Sequence, residues 1–80
     1  MATNTNNSAE QEYTNRASDI ARLIDVLQME LERHAEAANE DPKNWGRVGD
    51  LGKVRSDLLG TLSFLSGMER ETIEGEFLAE

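Results

Sequence analysis

Residues 13–42 read YTNRASDIARLIDVLQMELERHAEAANEDP, and the fold follows from this stretch. Tyr13, Ala17, Ile20, Ile24, Leu27, Leu31, His34 and Ala38 advance by alternating steps of four and three residues. An α-helix turns once every 3.6 residues, so the alternation lays these side chains in one stripe, in a short heptad-like pattern. Leu23 widens the stripe on one side and Ala35 on the other. The stripe stops at Asn39-Glu40-Asp41-Pro42. Asp is a favoured N-cap, and Pro is favoured at the first helical position, where a backbone N–H has no partner anyway. The expectation is a helix over 9–39, opened by the capping-box sequence Ser8-Ala9-Glu10-Gln11 and about 45 Å long. A second helix is expected from Pro42, and so short a connection makes the two antiparallel neighbours.

That second helix, expected over 42–66, has an apolar arc of Val48, Leu51, Leu58, Leu62 and Leu65, with Val54 and Leu59 at its edges. Four glycines fall inside it, each costing about 1 kcal/mol relative to Ala. Two readings of residues 46–52 follow: a continuous helix, or a loop with Asp50 capping a shorter helix. Gly49, Gly52, Ser56, Gly60, Ser63 and Gly67 favour the first, because they step by three and four and form a small-residue stripe beside the arc. Such a stripe lets another helix come close. Ser66-Gly67 supplies a stop, with glycine as the left-handed residue. A short third helix is expected over 69–78, with Ile73 and Phe77 one turn apart and able to dock. Residues 1–8, rich in Asn and Thr, read as a flexible tail preceding a single domain over 9–80.

The fold class is therefore all-α: an antiparallel two-helix hairpin plus a short C-terminal helix. A hairpin has one internal interface, yet Val26, Met29 and Phe64 lie outside the main stripes. Two hairpins packed face to face would bury a second interface, so the expected state is a homodimer forming a four-helix bundle.

Charge and composition narrow the function. The formal net charge is −8, with the acids concentrated before Pro42 and after Met68. Phosphate backbones attract cationic surfaces, so direct nucleic-acid binding is not expected. There is no Cys, no apolar run long enough for a membrane span and no signal-peptide pattern, so the expected setting is cytoplasmic, without a membrane partner.

Among residues that carry chemistry, Arg55 falls within the apolar arc, where a guanidinium must be paired or reach outward. In an antiparallel hairpin it stands level with about Asp25 or Val26, so that Asp25 or Glu30 could reach it, and the expected pair fixes register. His34 closes the first stripe. A di-iron bundle needs Glu-x-x-His, but Leu31 holds the Glu position, so a packed histidine is expected and no metal or cofactor. Trp45 is expected to cover the end of the bundle beside His34, with a partner contact as the alternative. Gly46-Arg47-Val48-Gly49 spells the G-x-x-G of a KH loop, without the strands and basic groove of that fold. Arg16 and Arg33 on one long helix, with Lys43 beyond, are similar to the basic residues with which small helical chorismate mutases hold a dicarboxylate. The resemblance would imply that activity, but Arg33 lies off the stripe and the chain after Gly67 is too short for that family's third long helix.

The functional expectation is thus a non-enzymatic interaction or regulatory module with a protein partner. Its candidate binding or interface residues are Arg55, His34, Trp45, Val26, Met29 and Phe64. Two alternatives come from other classes. One is an acidic inhibitor, an antitoxin or nucleic-acid mimic, presenting Glu30, Glu32, Glu36 and Glu40. The other is a small-molecule or anion-binding bundle built on Arg55, Arg33 and His34.

Overall fold

The computed structural model describes residues 3–78 and contains three helices, with no strand among them: α1 (Thr3–Glu40), α2 (Trp45–Ser66) and α3 (Arg70–Phe77). The all-α class is as expected. The chain divides into two compact units, Met1–Glu40 and Asp41–Glu80.

The first unit is the single helix α1. Its 38 residues correspond to about 57 Å. It starts at Thr3, so residues 3–8, assigned above to a tail, are helical; Met1 and Ala2 lie outside the described residues. Asn, Thr and Ser are only modest helix formers, but this segment has neither Gly nor Pro to stop a helix once the following turns have formed. α1 carries no acid in its first turn and no base in its last, so no charge there complements its dipole. Its ion pairs are local. Arg16 Nε donates to Glu12 Oε1 at 3.2 Å, and Arg33 Nη1 to Glu30 Oε2 at 3.0 Å. All four side chains are exposed, and such pairs contribute a few tenths of a kcal/mol each.

The second unit begins with a turn and not with a cap at Asp41. Asn44 N donates to Asp41 O at 3.2 Å, closing a turn with Pro42 in its second position, where a fixed φ is favourable. Asn44 then becomes the N-cap: in extended conformation, its Oδ1 accepts from Gly46 N at 2.8 Å. The start of α2 therefore shifts from Pro42 to Trp45. The reason is that Asp41 serves the turn, accepting from Asn44 Nδ2 at 3.1 Å, and leaves the capping to Asn44. From Trp45 to Ser66 the helix is unbroken, glycines included.

α2 ends where expected. Gly67 adopts φ +79°, which an L side chain resists, and its N–H donates to Ser63 O at 3.0 Å. The three residues Gly67-Met68-Glu69 lead into α3, which packs against α2. Leu59 of α2 and Ile73 of α3 form the buried hydrophobic core, at 5% and 2% exposure. Phe77, expected to dock beside Ile73, is exposed; it is the last helical residue, and the half-buried Leu78 follows it.

Candidate interaction surfaces

Three polar links join α2 and α3. Arg70 Nη1 donates to Ser56 O at 3.2 Å, and its Nη2 to Ser56 Oγ at 3.1 Å. Arg55 Nη1 donates to Glu74 Oε2 at 3.0 Å. Ser63 Oγ also donates to Met68 O at 2.7 Å, tying the connection to the helix it leaves. Ser56, Gly60 and Ser63 belong to the small-residue stripe, and the helix that uses this stripe is the chain's own α3. The approach is close at Gly60, where an added Cβ would lie 3.1 Å from Arg70 Nη1; at Gly49 and Gly52 the same addition meets nothing within 4 Å.

Arg55 thus has a partner other than the one expected. Within the second unit, α3 turns back and brings Glu74 to it across 19 residues. Glu30 is held by Arg33. Both members of the Arg55–Glu74 pair are about half exposed, so solvent screens the pair and it contributes below about 1 kcal/mol. Spacing marks Ser56 as part of the small-residue stripe, but no cue in residue type or spacing identifies Glu74 or Arg70 as the groups that reach α2, because their contacts depend on how far α3 folds back.

The other candidate residues fall on both units, Val26, Met29 and His34 on α1 and Trp45 and Phe64 on α2. Val26 and Met29 are exposed on α1, along an open groove shared with Ser18, Ala21, Arg22 and Asp25. His34 lies further along α1 and is half-buried. Trp45, the first residue of α2, is 80% exposed beside a shallow depression formed with Pro42, Lys43, Asn44 and Val48. Phe64 is 88% exposed at the edge of a second open depression, lined by Asp57, Gly60, Thr61 and Arg70. Trp45 and Phe64 are 19 residues apart on one helix, or about 28 Å, so they form no common site.

Lys53 Nζ lies 2.7 Å from Asp57 Oδ2, and that hydrogen bond, with the carboxylate charge, raises the Lys53 pKa above its ordinary 10.5. A raised lysine pKa stabilises the fold fully below the ordinary value and ceases to do so as pH rises through the raised one. Arg47 Nε is buried without a hydrogen-bond partner. Among the described residues, no group of three or more His, Asp or Glu side chains is placed to hold a metal ion, and no helix is long and apolar enough to cross a membrane. No protein family, curated protein or solved structure matches this chain.

Proposed function

We infer that the chain is a non-enzymatic helical interaction module that works as a homodimer, two antiparallel α1–α2 hairpins pairing as a four-helix bundle. The observation that carries this reading is the apolar face of α1: Ile20, Leu23 and Ile24 are each more than half exposed, while the hydrophobic core of the described residues consists of Leu59 and Ile73. An amphipathic helix gains most of its stability by burying its apolar face against a partner, and a stripe repeating every three and four residues fits a second helix. The lengths add a reason for a second chain. α2 has 22 residues, about 33 Å, against about 57 Å for α1, so a hairpin partner of that length leaves part of α1 uncovered. Val26, Met29 and Phe64 extend the apolar surface that a face-to-face bundle or a further protein partner would cover. The absence of Cys suits a reducing, cytoplasmic setting. The anion-binding alternative is less favoured, since Arg55 and Arg33 already face carboxylates.

Light scattering over a concentration series is the test. The expected mass is twice that of the 8.9 kDa chain. A helical species that stays at the single-chain mass throughout would overturn the homodimer.

A further inference from the structure

The residues flanking the α1 stripe indicate which way round a second copy lies; this inference rests on the homodimer reading above. α1 runs without interruption from Thr3 to Glu40, so the stripe keeps one phase. One flank carries Arg16, Leu23, Glu30 and Ala37, each just before a core residue of one set (Ala17, Ile24, Leu31 and Ala38). The other carries Thr14, Ala21, Gln28 and Ala35, each just after a core residue of the other set (Tyr13, Ile20, Leu27 and His34). When two such helices pair in parallel, one flank meets the opposite flank of the partner. Arg16, Leu23 and Glu30 would then meet small or neutral residues, and no charge would be matched.

Antiparallel pairing brings like flanks together. With Leu23 at the centre, Arg16 of each copy lies beside Glu30 of the partner subunit, and the two-fold axis makes the match twice. The core layers that follow set Ile20 against the partner's Ile24, Ala17 against the partner's Leu27 and Tyr13 against the partner's Leu31. Large faces small in the second layer, so the volumes are complementary. Arg16 and Glu30 are both exposed and are held by neighbours on their own helix, Glu12 and Arg33, so either can turn to a partner without leaving a buried bond.

We propose that a second copy of this chain docks on the exposed face of α1 in antiparallel orientation, centred on Leu23, with Arg16 and Glu30 pairing reciprocally across the seam. Val26 and Met29 lie off this seam and stay available to the rest of the assembly.

The test is a pair of charge variants of the full chain, Arg16→Glu and Glu30→Arg, studied alone and as an equimolar mixture by sedimentation, with helicity followed by circular dichroism. Alone, each places like charges at both flank contacts; mixed, the two chains restore both attractions. The mixed dimer is expected to be roughly tenfold tighter than either variant with itself. Local effects of losing Glu12 or Arg33 as neighbours are the same alone and mixed, so they cancel. Because the protein has no Cys, Leu23→Cys supplies a second measure: the antiparallel seam puts the two introduced thiols side by side, and mild oxidation yields a linked dimer. In a parallel seam they fall on opposite sides and no link forms. A dimeric wild type whose charge variants show no preference for each other, or whose Leu23→Cys variant fails to link, overturns this seam and leaves the homodimer standing. A monomeric wild type overturns both.

Discussion

The two units of this protein use different means to hold helix. α1 is long and regular, and its ion pairs run three or four residues along its own surface. Such contacts contribute tenths of a kcal/mol, so α1 depends on what covers its apolar face. α2 carries glycines that should weaken it, yet it is capped by Asn44, closed by Gly67 and braced by α3 through Ile73, Arg70 and Glu74. The contrast shows that regular patterning and bracing are separate properties: α2, the less regularly patterned helix, is the one that α3 braces within its own unit. Pattern states what a helix can bury; placement decides whether anything buries it.

Removing the brace should break the contrast most sharply. Ile73→Ala deletes most of one of the two apolar side chains buried among the described residues and is expected to cost about 2–5 kcal/mol in the second unit, measured by denaturant unfolding or by loss of amide protection in α3. α1 should keep its protection in that variant; loss of protection in both units together would show that they unfold as one.

The glycines sharpen the comparison at an intermediate scale. Gly52→Ala meets open space and should raise stability by about 1 kcal/mol through helix propensity. Gly60→Ala gains the same propensity but pushes on the Arg70 guanidinium, so its expected gain is smaller and accompanied by a weaker Arg70–Ser56 link. Melting temperatures of the two variants give the comparison; equal gains would show that the Arg70 contact costs nothing to displace.

The smallest effect is expected at the Arg55–Glu74 pair. A double-mutant cycle with Arg55→Ala and Glu74→Ala should return a coupling below about 1 kcal/mol that shrinks with added salt, because both side chains are about half exposed. A coupling that withstood high salt would mean that the pair is shielded from solvent by something further, such as a partner chain.

Much of this was legible beforehand. The stripe from Tyr13 to Ala38 needs only the period of a helix, and it identified α1 without any knowledge of the rest. The stop at Gly67 was legible for the same kind of reason: a left-handed residue is a local demand of the backbone. The start of α2 was less legible, because Asp41 and Asn44 both suit a cap and only the turn between them settles which one serves. The candidate surface residues were recognised by type, but their exposure was not, since exposure depends on what packs nearby.

From its sequence by itself, this protein is determined to be all-helical, with a break at residues 39–42 and a glycine stop at 67, because helix period, caps and left-handed residues act within a few neighbours. Only the tertiary structure decided that α3 uses the small-residue stripe, that Arg55 belongs to Glu74, and that Leu59 and Ile73 form the buried core. Those contacts join residues 14 to 19 positions apart, where no periodic pattern sets the partner and packing geometry makes the choice.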